Sequence, residues 1–460
     1  MSRTYHRRSR VIRTFCSVSV LVLCSLLLVA APSAHAQKKV TVAGELKRLQ
    51  AEGADPAAIT AYRATYDDAR ARVKRLTGAR KVQLGGVVTD LEGMAARRQF
   101  TLSRIPSLFL TLQRNIEWWT TQRLLNSGER VGFTGSELVY QFYPGHGIQI
   151  QWLGTFGKLN GYWGGGKRYD ARAGALLDEI KTLSAQRAGG LAWEYLFPFD
   201  GQQPPWVSSL AQGTGLQAMA RSATRLKRQE DVFPVALAGL GIFKSAPPTG
   251  VRIPSGTGAH YLQYSGLPNF KVANGFIQSL NGLYDFATLT GDPTAQSLFE
   301  DGDRAGRAEI GTFDTGAWSL YSRGAPITRE SDLGYHKLLI DFLKALCSRT
   351  TAVEYCAAEQ HFNQYLVTPP VVQSLKSTLT ARKSGNIRFR LSKISRVTLT
   401  ITRAGKPVAT LTPGVLGRGT KSVAWTAPKR SGDYDVSISA TDLNNNPATT
   451  TGVITVKKRG

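Results

Sequence analysis

The sequence predicts a multi-domain, mainly α chain: an α/α toroid (an incomplete α/α barrel) followed by a C-terminal Ig-like β-sandwich. Three observations predict it. Helix-sized amphipathic blocks recur between Asp55 and Tyr365. The loops between them are rich in glycine, proline and aromatic residues, which suits paired helices in a ring better than a simple bundle. After Thr368-Pro369-Pro370 the composition turns to short alternating runs of Thr, Val, Ser and Ile, as in strands. A length of 460 residues, 42% of them hydrophobic, allows two or three cores and excludes disorder for the chain as a whole. With 46 Gly and 20 Pro it is not a collagen-like or low-complexity chain.

Residues 1–36 read as a signal peptide. Arg3, Arg7, Arg8, Arg10 and Arg13 precede an apolar run from Phe15 to Leu28, and Ala34-His35-Ala36 offers small residues at the cleavage spacing. The run is shorter than the roughly 20 residues that span a bilayer. The chain is therefore expected to be secreted, by the Sec route or, through Arg7-Arg8, the twin-arginine route. Export would remove Cys16 and Cys24 and leave Cys347 and Cys356 as the mature thiols. In an oxidising compartment these two are expected to form a disulfide, stapling one helix end to the next helix start; two buried free cysteines are the alternative.

Residues 37–130 form an N-terminal helical region. Asp55-Pro56 supplies a cap and a first-turn proline, and Ile59, Tyr62, Tyr66, Ala69 and Val73 share one face. The toroid is expected over 131–368. Its first part, Phe133–Trp163, is mixed, with Gly147–Trp152 readable as a strand or a helix start. Helical blocks then follow at Ala171–Ala188, Val207–Arg225, Asp231–Phe243, Asn274–Thr290, Pro293–Ile310, Asp332–Ser348 and Thr351–Tyr365. The sandwich is expected over 371–460, with strands at Asn386–Leu391, Arg396–Thr402, Ser422–Thr426, Tyr434–Ser439 and Gly452–Val456. Pro407, Pro413-Gly414, Ser431-Gly432 and Asn444–Pro447 are assigned to turns.

The net charge of +26 favours a polyanionic partner. Residues 371–460 carry 16 Lys and Arg against 3 Asp and Glu, half of that excess. This end reads as a contact for cell wall or anionic polymer, or as a solvated spacer. No nucleic-acid partner is expected.

Several chemistries lack their motifs. There is no Walker A loop, HExxH or GxSxG; Gly164-Gly165-Gly166-Lys167 is a flexible turn rather than a phosphate loop. Asp301-Gly302-Asp303 opens like a calcium loop, but Ala305 and Thr312 stand where ligands are needed. His146, His260, His336 and His361 have no zinc spacing. Neither metal nor cofactor is expected. Aromatic and polar residues do cluster on loops, at Tyr140–Tyr143, Trp193-Glu194-Tyr195, Tyr261–Tyr264, Trp318–Arg323 and Tyr335-His336. Aromatic faces stack on sugar rings and cations bind carboxylates, so these segments suit an acidic saccharide, with core packing accounting for part of them.

Five ordered blocks then carry a resemblance. They are Phe142-Tyr143-Pro144 with Ile148–Gln151; Trp206–Gly213; Asn274-Gly275-Phe276 with Ser279-Leu280 and Gly282–Asp285; Phe313–Gly316 with Tyr321 and Arg323; and Tyr335-His336. Over about residues 140–350 the chain resembles the C-terminal catalytic domain of D-glucuronyl C5-epimerases, the heparosan-N-sulfate-glucuronate 5-epimerase family. The resemblance implies an α/α toroid and an isomerase that inverts C5 of glucuronate or iduronate in an acidic polysaccharide.

It also implies roles: Tyr321 and Tyr335 in proton transfer, Tyr264 as a donor or orienting group, and Arg323 on the uronate carboxylate. His336, Gln263, Trp206, Gln212 and Asn274 become substrate-binding candidates, and a homodimer is carried over as an open alternative. The chain departs from the family at Gln263-Tyr264, where the family has Glu-Tyr; a neutral amide cannot take the C5 proton, and Glu194 is a conceivable replacement. A uronate lyase, which begins with the same proton abstraction, and a glycan-binding protein that has lost its base are the rival readings.

Overall fold

The computed structural model describes residues 40–459, so the signal-peptide segment lies outside the described residues. Helices dominate up to Val367. They are α1 Val42–Ala51, α2 Pro56–Arg75, α3 Gly78–Ala96, α4 Ile105–Thr121, α5 Trp152–Gly165, α6 Asp170–Thr182, α7 Ser209–Leu226, α8 Gln229–Ala238, α9 Gly241–Lys244, α10 Ala273–Thr290, α11 Pro293–Glu309, α12 Leu333–Thr350 and α13 Val353–Val367. Several begin as local chemistry requires. The Asp55 carboxylate accepts the Ala57 and Ala58 N–H groups ahead of α2, Asp292 accepts Ala295 N–H ahead of α11, and Asp332 accepts Tyr335 N–H ahead of α12.

Helices α7 and α10 form the spine. Their buried residues run along nearly the whole of each, so neither has a solvent face in its first half. Where they cross, glycine faces glycine: a Cβ on Gly282 would lie 2.1 Å from the Gly213 carbonyl oxygen, and one on Gly213 would lie 2.9 Å from Ser279 Cα. Helix α5 packs on the other side of α7, and α11 and α12 pack on α10. Helix α5 carries five glycines and was not legible as a helix. Burial of Phe156, whose ring a Cβ on Gly215 would meet at 2.8 Å, outweighs their poor propensity.

The block Ala171–Ala188 is shorter than expected, since α6 ends at Thr182 and Ala185–Arg187 pairs as a strand with Gly190–Ala192. Asp231–Phe243 is split into α8 and α9. Cys347 near the end of α12 and Cys356 in α13 are disulfide-bonded, with Cα atoms 5.0 Å apart.

Beyond Val371 the chain forms two sheets. Strands Val372–Leu375, Ser384–Leu391 and Gly419–Thr426 make one. Ser377–Thr380, Pro447–Lys457, Gly432–Asp442, Ser395–Arg403 and Lys406–Leu416 make the other, in that spatial order. Inward residues of both, among them Phe389, Leu399, Ile438 and Ile454, share one core. Pro407 and Pro413-Gly414, expected in turns, lie inside the strand Lys406–Leu416. It is an edge strand with two register shifts, where a missing N–H costs no ladder bond.

The sheets are locked to the helices. Lys393 is buried, and its Nζ lies 2.7 Å from an Asp442 carboxylate oxygen while donating to the carbonyls of Tyr365 and Thr368 at the end of α13. The same ammonium stands 5.3 Å from the centre of the Trp318 ring. Asn444 and Asn446 side chains both donate to the Leu366 carbonyl. Arg418 donates its backbone N–H to Glu330 in the short strand Arg329–Glu330.

Candidate active site

A cavity of about 390 Å³ opens where four helices begin. Its lining includes Gln151 and Leu153 at the start of α5, Ser208 and Leu210 at α7, Asn274 at α10, and Tyr335 and Leu338 at α12. Helix N-termini carry partial positive charge, so the convergence favours an anion there. The opposite wall is aromatic. Tyr195 stacks on Trp206 with centroids 4.2 Å apart and planes 13° apart, Phe199 lies against the same indole, and Tyr143 packs on Phe197. A network fixes these rings: Gln151 Nε2 donates to the Tyr143 hydroxyl, the Tyr195 hydroxyl donates to Gln151 Oε1 and accepts Leu153 N–H.

Three phenols gather on this cavity. Tyr264 and Tyr335 line it, and Tyr321 lies beside them, its ring centroid 4.7 Å from that of Tyr335 and near enough to Tyr264 to raise the pKa of that phenol. Tyr321 comes from the strand Leu320–Gly324, Tyr335 from the first turn of α12, and Tyr264 from the segment before the strand Phe270–Val272. Burial, then the neighbouring Tyr321, pushes the Tyr264 phenol far above its ordinary value. Tyr335 is also raised, chiefly by partial burial, with Arg329 acting in the opposite direction. Tyr335 is 41% exposed, whereas Tyr321 is 3% exposed.

Gln263 sits within this cluster. Its Nε2 donates to the Tyr264 hydroxyl at 2.9 Å, while its Oε1 lies over Gly275 at the start of α10 without a hydrogen-bond partner. Asn274 donates to the Tyr335 carbonyl and leaves its own Oδ1 unpartnered. Trp206 lines the cavity as expected, its indole N–H held by the Phe197 carbonyl.

Other candidates lie elsewhere. Arg323 does not line the cavity; its guanidinium stands 5.8 Å from the centre of the Phe313 ring. Sequence reasoning missed Arg329, whose guanidinium lies 4.4 Å from the centre of the Tyr321 ring. Nothing in its local sequence marks it, because the pairing of Arg329–Glu330 with Leu320–Gly324 brings it there. His336 is fully buried, stacked 3.6 Å from Trp318, with Nδ1 facing the Ser319 hydroxyl and Nε2 the Phe362 carbonyl. Burial lowers its pKa to about 4, so it is a neutral core histidine.

Gln212 is fully buried and accepts the Trp193 N–H. Glu194 is gripped by Arg104 and Arg187 in a buried cluster and cannot replace the missing base. Asp301 and Asp303 lie within α11 and pair with Arg252, Arg304 and Arg307.

Residues 189–364 match the family model described as D-glucuronyl C5-epimerase C-terminus. This segment is similar to the C-terminal part of D-glucuronyl C5-epimerases. A D-glucuronyl C5-epimerase of Caenorhabditis elegans is 31% identical over 131 residues, which cover 26% of this chain and 21% of that protein. The matched segment holds all three phenols, Gln263, Asn274 and Arg329, while Gln141, Tyr143 and Gln151 in the cavity lining precede it. Among solved structures, a sugar epimerase from a ruminal bacterium aligns at TM-score 0.39 and 11% identity, covering 56% of this chain and 69% of its own. The endo-beta-1,4-glucanase CMCax from Acetobacter xylinum aligns at 0.33 and 14% identity, covering 45% and 67%.

Proposed function

We propose that the chain is an exported isomerase that inverts C5 of uronate residues in an acidic polysaccharide. In this reading the helices form the incomplete α/α barrel, the C-terminal sheets are its Ig-like sandwich, and the glycan lies across the cavity. The observation that carries it is the meeting of Tyr264, Tyr321 and Tyr335 at an aromatic cavity where four helices begin.

C5 inversion breaks the C5–H bond heterolytically, leaving its electron pair on an enediolate with the C6 carboxylate, and returns a proton to the other face of C5. Tyr335 serves as the base. It is the most exposed of the three phenols, and Arg329 offsets part of the burial that holds its proton. Tyr264, which burial keeps protonated near neutrality, serves as the donor. Gln263 donates to the phenol oxygen of Tyr264, so it stabilises the phenolate left after donation; a glutamate there would oppose it. Tyr321 then carries the proton between the two. The helix N-termini stabilise the second negative charge on the enediolate, while Arg329, which like Arg323 stands outside the cavity lining, acts on the phenols from over the Tyr321 ring.

The test is exchange of C5 hydrogen for deuterium when uronate polymers are incubated with the protein in deuterated water. Tyr335→Phe should lose the exchange by about a hundredfold or more and Arg329→Gln by about tenfold or more. A product with a C4–C5 double bond would identify a lyase. No incorporation on any acidic glycan would leave glycan binding alone.

A further inference from the structure

A second cavity, of about 330 Å³, lies between the helical part and the sheets, away from the phenols. One side is the turn Thr315-Gly316-Ala317, and the other is Gln373, Arg390, Ser392 and Arg418 from the sheet region. The two arginines are the only charged residues lining it, and neither guanidinium has a carboxylate partner within ion-pairing distance among the described residues. Two acids stand nearby, and the Glu330 carboxyl, whose Oε1 has no hydrogen-bond partner, feels the Arg418 charge without pairing with its guanidinium. Asp314 accepts the Tyr365 hydroxyl and the Gly316 N–H, and Glu330 accepts the Arg418 backbone N–H.

The site is built by regular structure. Arg390 alternates with buried Phe389 and Leu391, so it must face outward, and its register partner Gln373 faces the same way. Ser392 Oγ accepts Val371 N–H and keeps its own hydrogen to donate. The opposing turn is held rigid by Asp314 and by Thr315 Oγ1, which accepts the Trp318 N–H. Arg388, two residues along the same outward face, extends the cationic track by about 7 Å.

We propose that this crevice is an anion-binding site for an acidic polysaccharide, with Arg390 and Arg418 taking a carboxylate or sulfate group and Gln373 and Ser392 taking sugar hydroxyls. The volume suits about one sugar ring. No aromatic residue lines the crevice, so it offers no stacking platform for a nucleic-acid base. The crevice acts independently of the C5 chemistry and gives the basic charge of the sheet region a definite place.

The test is retention of the full chain on immobilised dextran sulfate, with neutral dextran and a single-stranded DNA oligonucleotide as comparison probes. Arg390→Gln with Arg418→Gln should weaken retention about tenfold or more without changing the thermal midpoint. The remote pair Lys429→Gln with Arg430→Gln, which removes the same charge, should weaken it less than threefold. Equal losses in the two double variants, or a loss below threefold in the first, would overturn the proposal. DNA bound as tightly as dextran sulfate would also overturn it. Should the first variant fold poorly, mass spectrometry after phenylglyoxal treatment reads the same site in the unmodified sequence. Dextran sulfate should protect Arg390 and Arg418, and equal labelling with and without it would overturn the assignment.

Discussion

Replacing Lys393 by methionine keeps the side-chain length and removes the ammonium. The side chains of Lys393 and Asp442 are 2% and 1% exposed, so water cannot take over the lost partner. Loss of one member of such a pair costs roughly 3–5 kcal/mol, because the other charge is left buried. Asp442 retains the Asn444 and Asn446 backbone N–H groups and the Asn446 amide, which places the expected cost at the lower end, about 3 kcal/mol. Tyr365 and Thr368 lose a donor to their carbonyls, and Trp318 loses its cation. In a chain of this size that is a fall in thermal midpoint on the order of 3 °C. Scanning calorimetry on Lys393→Met, Asp442→Asn and the double variant provides the assay, and the double should recover part of the loss because no charge is then stranded. A single variant within 1 °C of the parent, or a double variant whose loss equals the sum of the singles, would refute the reasoning.

Three further outcomes follow from the same geometry. Gly282→Ala should destabilise by about 3 kcal/mol or more, since the new methyl meets the Gly213 carbonyl rather than a movable side chain; a denaturation midpoint close to the parent's would contradict the close crossing of α7 and α10. Glu309 accepts from Ser255 and lies beside His260 and Lys271, and its pKa falls from 4.5 to about 2. A lowered carboxylate stabilises above its ordinary pKa and loses that contribution as pH falls, so the stability gap between the parent and Glu309→Gln should be full above about pH 4.5 and close toward pH 2; a pH-independent gap would count against it. If Tyr335 is the base, its raised pKa requires the C5 exchange rate to climb through pH 7–9 by about tenfold per unit, and a plateau reached by pH 8 would remove it from that role.

The longer helices were legible because their apolar positions and caps agree. The block Asn274–Thr290 differs from α10 by one residue, and Asp292-Pro293 starts α11 as its chemistry demands. The edge strand Lys406–Leu416 was not legible, because none of its residues is buried and its prolines read as breaks. At the site, Tyr264, Tyr321, Tyr335, Gln263, Asn274 and Trp206 could be picked from sequence, but their surroundings could not. His336 and Gln212 sit in the same blocks and yet face the interior, where their hydrogen bonds are made by Ser319, Phe362 and Trp193. Arg329 shows the converse. Its position follows from a two-residue strand pairing with a register shift, which no periodicity announces.

The buried ammonium of Lys393 also bears on how freely the two parts of this chain can be exchanged. A helical body grafted onto a foreign carrier would leave the last carbonyls of α13 without their donor and the Trp318 face without its cover. Domain shuffling at the Pro369-Pro370 joint therefore meets a chemical barrier that linker length cannot relieve, and a transplant that works should be one that brings its own cation to that spot.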